Sequence, residues 1–437
     1  MFVQPTKSLK TLSQLNSVIS QGKRVKAKQS QSTLKLSVVN QFFPPDFAAT
    51  GQLIEELAVQ LGKQGVDIEV FTGQPGYAFQ TSKAPSKEVR GSLKVIRSRT
   101  TQLFSSRVRG KALNGVLFAL RTALYLIANR DRRNLTLLTT APPFLPIIGY
   151  LVNLIFGSPY ACLLYDLYPD IAIELGVISQ QHWLAKLWQS LNCRVWRRAK
   201  ALIVLSPAMK QRIVSICPEV ADKISIIHNW SDPDLIQPIA KEDNWFAQQY
   251  NLDEKFTVLY SGNTGRCHDM DTILAAASQL KDEPIQFVFI GSAAKQKDLM
   301  QKAYSQGLNN ILFLPYQDKS VLPYSLTACD LSLVSVSPGM ESLVAPSKFY
   351  SCLASGRPVA VVCPQHTYLR QLVLEANCGN TFSNGDGKGL ADFIRYLSRD
   401  RQQAEKMGRA SRQYLEENFT PEIIAEQYEQ VLQEAIQ

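Results

Sequence analysis

Histidine is scarce in this chain, with four in 437 residues, at positions 182, 228, 268 and 366. No His-Glu-x-x-His motif occurs, which argues against a metal-centred mechanism. The eight cysteines are scattered and never form a Cys-x-x-Cys pair. That pattern fits free thiols in a reducing cytosol, not a disulfide framework or a structural zinc site. An apolar N-terminal core followed by a cleavage site is also missing, so no secretory signal is expected. Acids are absent from residues 1–33, where Lys7, Lys10, Lys23, Arg24, Lys26 and Lys28 stand among Ser and Gln. The composition predicts a disordered basic tail, either solvated or lying on a membrane surface. A long uninterrupted apolar run is lacking too. Residues 134–165 hold no charge, but Pro142, Pro143 and Pro146 break the start and Gly157-Ser158-Pro159 the later part. The uninterrupted piece, Ile147 to Phe156, is too short to span a bilayer and reads as a helix packed on a sheet.

What remains is an ordinary globular chain. Its length suggests about two to three domains, and 45% hydrophobic and 19% charged residues suit a large core. The formal charge of +10 hides an asymmetry. Residues 1–217 hold 28 Lys and Arg against 10 Asp and Glu, a net +18, while residues 218–437 hold 19 against 27, a net −8. A basic half suggests an anionic partner such as a membrane surface, a phosphorylated lipid or nucleic acid, with a merely solvated basic surface as the alternative. Its clusters are Arg107-Arg109-Lys111, Arg130-Arg132-Arg133 and Arg194-Arg197-Arg198-Lys200.

The pattern along the chain alternates strands and helices. Leu34 to Phe42 reads as a strand, Pro44 to Gly51 as a loop, Gln52 to Gln64 as a helix and Asp67 to Thr72 as the next strand. This opens a doubly wound domain. Gly51 permits close backbone approach, although a plain turn glycine is the simpler alternative. Leu93–Ser98, Leu135–Thr139 and Tyr160–Tyr165 read as strands, and Ala112–Asn129 and Trp183–Arg198 as helices. The strand at 160–165 ends in Asp166-Leu167-Tyr168-Pro169-Asp170, with Glu174 beyond. Carboxylates at the C-terminal end of a parallel strand sit where such sheets bind ligands. Asp166 is the strongest of the three; Asp170 and Glu174 also suit a solvated helix start. A second domain repeats the scheme from residue 218. Phe256–Tyr260 is a strand, and Ser261-Gly262-Asn263-Thr264-Gly265-Arg266 is a glycine-bearing loop before a helix from about Asp269 to Leu280, a phosphate-facing arrangement. Further strands are expected at Ile285–Gly291, Ile311–Pro315 and Leu331–Val336. Ala391–Tyr414 reads as one helix, and Phe419-Thr420-Pro421 opens the last.

The densest signal runs from Val334 to Cys363. A buried strand is broken by Pro338 and Gly339, and Pro346 suits the first position of a helix. Gly356 and Pro358 then stop that helix before the next strand. Ser347 and Lys348 fall in its first turn. A lysine there opposes the helix dipole and becomes favourable when an anion sits on the free N–H groups. Glu341, upstream, suits the hydroxyls of a sugar. The segment reads as a pocket for a sugar linked to phosphate, or else as a surface lysine beside a solvated glutamate.

Pro346-Ser347-Lys348 and Leu353-Ala354-Ser355-Gly356-Arg357-Pro358, with the strand that follows, resemble the donor-site helix of group 1 (family 4) retaining glycosyltransferases. The likeness extends over most of the chain from about Leu34, and Asn229-Trp230-Ser231-Asp232 resembles the family's stretch at the domain crossing. The resemblance is nearest to the bacterial exopolysaccharide and O-antigen branch. It implies an α/β protein of the GT-B fold, with two doubly wound Rossmann-like domains facing a central cleft. The tail would be 1–33, the acceptor-side domain 34–217, the nucleotide-sugar domain 218–418, and residues 419–437 a helix crossing back. It implies transfer of a hexosyl-type sugar from a nucleotide sugar to a lipid-linked or glycan acceptor, with no cofactor beyond that co-substrate and no metal. The enzyme would be cytoplasmic and peripheral on an anionic membrane, with no nucleic acid partner. Asp166, Lys348 and Arg266 would be catalytic. Gly51, Gly262, Asn263, Gly265, Glu341, Pro346, Ser347 and Ser351 would bind donor.

The sequence also departs from the family. Two positions where many relatives carry glutamate are Leu343 and Ser351. Positions near 263 and 268, often Arg and Lys, are Asn263 and His268, so Arg266 and Lys348 are expected to supply the positive charge. A sugar-nucleotide epimerase without a separate acceptor, and a non-catalytic relative that binds sugar nucleotide, are the rival expectations.

Overall fold

The computed structural model describes residues 34–437 apart from 47, 76–83, 99–107, 131–133 and 292. The tail expected over 1–33 lies outside the described residues, as do Arg107, Arg132 and Arg133 and the side chains of Arg109 and Lys111. In the first domain β1 (Lys35–Val39) leads into α1 (Ala49–Lys63), β2 (Asp67–Thr72), β3 (Lys87–Arg90), β4 (Leu93–Arg97), α2 (Val108–Ala128) and β5 (Asn134–Thr139). Then come α3 (Leu145–Phe156), β6 (Tyr160–Leu164), α4 (Asp170–Glu174), α5 (Trp183–Arg198), β7 (Leu202–Val204), α6 (Pro207–Ile216) and β8 (Ile224–Ile226). The sheet order is β3-β4-β2-β1-β5-β6-β7-β8, parallel except at the β3–β4 hairpin.

The second domain contains α7 (Trp245–Gln249), β9 (Phe256–Ser261), α8 (Asp271–Gln279), β10 (Ile285–Gly291), α9 (Ala293–Ser305), β11 (Ile311–Pro315), α10 (Leu322–Thr327) and β12 (Leu331–Ser335). It continues with α11 (Lys348–Ala354), β13 (Val359–Val362), α12 (Tyr368–Ala376), β14 (Gly379–Phe382), α13 (Gly387–Arg399), α14 (Arg401–Asn418) and α15 (Pro421–Ile436). Its parallel sheet has the order β11-β10-β9-β12-β13-β14.

The strands form where the sequence is continuously apolar, because both faces of a parallel sheet are covered by helices. β6, β12 and β13 are buried at every position. The strand order reverses between β1 and β5 in the first sheet and between β9 and β12 in the second. Loops diverge at these switch points and leave a crevice at the carboxyl ends of the strands. The two crevices face each other within one contact unit spanning residues 34–437. α15 packs on α1, where Gln60 Nε2 donates to Glu422 Oε1 at 2.7 Å.

Three expectations about elements need correction. The helix expected over Ala391–Tyr414 is two, α13 and α14, because Asp400 accepts a hydrogen bond from the Gln403 N–H at 3.0 Å and starts a new helix. α11 begins at Lys348, not at Pro346. Pro346 is buried in a preceding turn, its carbonyl accepting from the Phe349 N–H at 3.2 Å. α1 begins at Ala49, so Gly51 lies inside its first turn instead of in the loop before it. None of the cysteines forms a disulfide among the described residues.

Candidate active site

A cavity of about 320 Å³ lies between the two domains. From the second domain it is walled by Ser261, Gly262 and Asn263 at the end of β9, Ile290 of β10, and Ser347, Lys348 and Ser351 at the start of α11. From the first domain Ala49, Gln52, Leu53 and Glu56 of α1 close it. The domain crossing adds Trp230 and Asp232. Both switch points thus contribute, as the geometry of doubly wound sheets requires.

Lys348 is the central cation. Its Nζ lies 3.9 Å from the centroid of the Tyr260 ring. It donates to the Tyr260 hydroxyl, and to the Asn263 carbonyl at 3.3 Å. Burial disfavours the ammonium and lowers its pKa to about 7. Gly262 makes room for this lysine. A Cβ there would stand 3.3 Å from Lys348 Cε, and its φ of +128° is one that side chains rarely adopt. Asn263 Oδ1 is occupied by the Gly265 N–H at 3.0 Å, which shapes the loop. Ser351 Oγ donates to the Lys348 carbonyl at 3.0 Å.

Glu56 was not among the residues singled out from the sequence. It accepts from Trp230 Nε1 at 3.0 Å and stands 3.7 Å from Lys319 Nζ, so it joins α1 to the crossing and to the second domain. Burial raises its carboxyl pKa above the ordinary value. Its signal in the sequence was slight, because its neighbours one turn away on α1 are Gln52 and Gln60, and it reads as one acid on the polar face.

Asp166 sits where the domains touch. It pairs with Val344 in an antiparallel bridge, and the Leu167 N–H donates to the Leu343 carbonyl at 3.2 Å. Burial pushes its carboxyl up to about 6. Asp170 is instead buried against Arg212, whose Nε donates to Oδ1 at 3.0 Å, so it is held in a structural ion pair. Glu174 covers Gly339, where a Cβ would meet its Oε1 at 2.0 Å. Glu341 has a buried Oε2 with no hydrogen-bond partner, in the loop that reaches toward Asp166.

Several expected site residues, Glu341 among them, do not line the cavity. Gly51 packs against the backbone of Phe42 and Phe43, where a Cβ would approach to 3.0 Å, so its smallness serves helix–strand contact. Gly265 faces the Asn263 side chain. Arg266 is exposed and outside the lining, and Pro346 is buried in its turn. Lys348, Ser347, Ser351, Gly262 and Asn263 are brought together.

A cleft with strand ends on both sides defines a two-domain, doubly wound ligand-binding protein of the GT-B type. A model of glycosyl transferases group 1 matches residues 241–414, and a glycosyl transferase 4-like domain matches residues 49–230. Both halves of the chain thus match glycosyltransferase domains, the second that of group 1. It is 24% identical over 401 residues to the probable glycosyltransferase WbjE of Pseudomonas aeruginosa, covering 90% of this chain and 96% of that one. It is 25% identical over 349 residues to the putative colanic acid biosynthesis glycosyl transferase WcaI of Escherichia coli K12, covering 78% and 86% respectively. The crystal structure of Anabaena HepE in complex with UDP-glucose superposes with a TM-score of 0.68 at 16% identity, covering 92% of this chain and 99% of that one.

Proposed function

We propose that this glycosyltransferase moves a hexosyl unit, with retention at the anomeric carbon, from a nucleoside diphosphate sugar to a lipid-linked or glycan acceptor in surface polysaccharide assembly. The observation that carries the proposal is the cavity at the β9/β12 switch point, with Lys348 on its wall. A diphosphate there would receive the ammonium and the hydroxyl of Ser347. Charge develops on the departing diphosphate, so a fixed donor on the leaving oxygens stabilises the transition state more than the ground state. Lys348 would supply that charge without a metal. Glu341 lies outside the cavity lining, and its one unpartnered buried oxygen would accept from a sugar hydroxyl that reached it. Asp166 would face the acceptor. The ion pair of Glu56 with Lys319 and its hydrogen bond from Trp230 would hold the domains together and keep water from the donor. Likeness to WcaI and to a UDP-glucose-binding structure supports the polysaccharide and nucleotide-sugar parts. The net +18 of residues 1–217 supports a cytoplasmic enzyme working at an anionic membrane face.

The test is a thermal-shift panel of UDP-, GDP-, ADP- and dTDP-sugars, followed by turnover of the best binder with a membrane extract as acceptor source. Nucleoside diphosphate released with label transferred to the lipid or glycan fraction is the expected result. Donor epimerised in the absence of acceptor, or bound without turnover, would overturn it.

A further inference from the structure

The helices α2, α3 and α5 carry apolar side chains on their outer faces as well as their inner ones. On α2 Phe118, Thr122 and Tyr125 are buried. On the opposite side Leu113, Val116, Leu120 and Leu124 form an exposed stripe at helical spacing, with Leu120 58% and Leu124 61% exposed. α3 has no charged residue, and its Ile155 is 73% exposed with Leu151 and Leu154 exposed beside it. α5 presents Trp183, 65% exposed, and Leu187 one turn on. α3 packs against both α2 and α5, so the three stripes share one surface. Exposed apolar side chains that run together over three helices mark an interaction site.

The charge around the patch identifies the partner. α2, α3 and α5 contain no Asp or Glu at all. The chain holds no acid between Asp131 and Asp166, nor between Glu174 and Glu219. Arg121 on α2 and Lys186 and Arg194 on α5 are exposed around the apolar stripes. Arg130, also exposed, stands 5.2 Å from the Phe156 ring centroid at the end of α3. Apolar ridges between cations, with an exposed tryptophan, suit the interfacial zone of an anionic bilayer. Among the described residues no helix is long and apolar enough to cross a membrane, so the face would lie in the interface.

We propose that the α2–α3–α5 face inserts Leu120, Leu124, Ile155 and Trp183 into the headgroup–acyl boundary of an anionic membrane. This rests on the proposal that the acceptor is presented at such a membrane, and goes beyond charge attraction to specify apolar insertion. Insertion leaves a distinct signature. Binding driven by charge alone vanishes at high salt, whereas binding anchored by buried apolar area keeps a salt-resistant part.

Flotation of the full chain with phosphatidylcholine vesicles, with and without phosphatidylglycerol, tests this. Wild type should float best with anionic vesicles, keep a reduced salt-resistant part of that binding at high salt, and float to about that reduced extent with neutral ones. Leu120→Ser/Leu124→Ser/Ile155→Ser should lose at least ~10-fold in affinity and all salt resistance. Arg121→Glu/Lys186→Glu should lose the preference for phosphatidylglycerol. The melting shift given by the best nucleotide sugar should persist in both variants, which shows the fold and donor site intact. A triple serine variant that binds like wild type would overturn insertion and leave electrostatic docking standing. Flotation with neither vesicle would overturn both, without touching glycosyl transfer. A wild-type dimer that the serine variant converts to monomer would assign the face to a second copy of the chain and so overturn the proposal.

Discussion

Lys348 offers the sharpest test of the donor site. Its ammonium rests against the Tyr260 ring and the Asn263 carbonyl, and burial lowers its pKa to about 7. A diphosphate beside it would favour the charged form and raise the pKa again. Below pH 7 the lysine is already protonated, so donor affinity should be flat. Above pH 7 each binding event must take up a proton, and affinity should fall by up to about tenfold, or about 1.4 kcal/mol, per pH unit. From pH 7 to 9 the loss is at most about 100-fold by the same measure. Lys348→Met should weaken binding at pH 6 by about 1.5–3 kcal/mol, the scale of a charge-assisted hydrogen bond, and abolish the pH dependence. The assay is titration calorimetry with a nucleotide sugar, whose diphosphate stays ionised over this range, in buffers of different ionisation enthalpy. Wild-type affinity that stays level from pH 6 to 9 with no proton uptake would refute the reasoning, as would unchanged binding by the methionine variant.

Three further outcomes are expected. Asp166, with its carboxyl raised to about 6, should be protonated as pH falls through that value, so turnover should drop on the acid side. Asp166→Asn should remove that limb and cost roughly 10²–10⁴ in kcat while sparing donor affinity; an equal loss in both would place Asp166 on the donor side. Saturating nucleotide sugar should reduce the radius of gyration in solution scattering. Glu56→Gln, which weakens the link to Lys319, should blunt that change, and an identical radius with and without ligand would count against closure. Arg212→Ala should destabilise by about 1–3 kcal/mol in urea unfolding, because Asp170 stays buried without its partner. Adding Asp170→Asn should recover part of that loss, and no recovery would mean that packing, not charge, is at stake.

Much of the fold was legible because parallel strands buried on both faces leave continuous apolar runs. Asp67–Thr72, Ile285–Gly291, Ile311–Pro315 and the helix Trp183–Arg198 have the limits their patterns imply. β3 went unseen, since Lys-Glu-Val-Arg is a polar, largely exposed edge strand with no apolar period to betray it. The break between α13 and α14 was hidden by amphipathic periodicity on both sides, although Asp400 carried the local capping signal. In the site, Gly262, Asn263, Ser347, Lys348 and Ser351 were accessible because each follows a central strand of the second sheet. Glu56, Trp230 and Lys319 were not. They meet only through the relative placement of two domains, which no local pattern encodes.

The choice of partners around Lys348 bears on how such a site works. Lys348 forms no salt bridge among the described residues, and burial is the leading cause of its lowered pKa. A carboxylate in that place would keep the ammonium charged at neutral pH, but an arriving diphosphate would then have to displace it. The Tyr260 ring and one carbonyl orient the lysine while leaving most of its charge unanswered. A poorly compensated buried amine is costly, and a diphosphate arriving beside it would relieve that cost. In the proposed reaction charge on the leaving oxygens would grow as the sugar departs, the attraction would grow with it, and the lysine would favour the transition state over the bound donor.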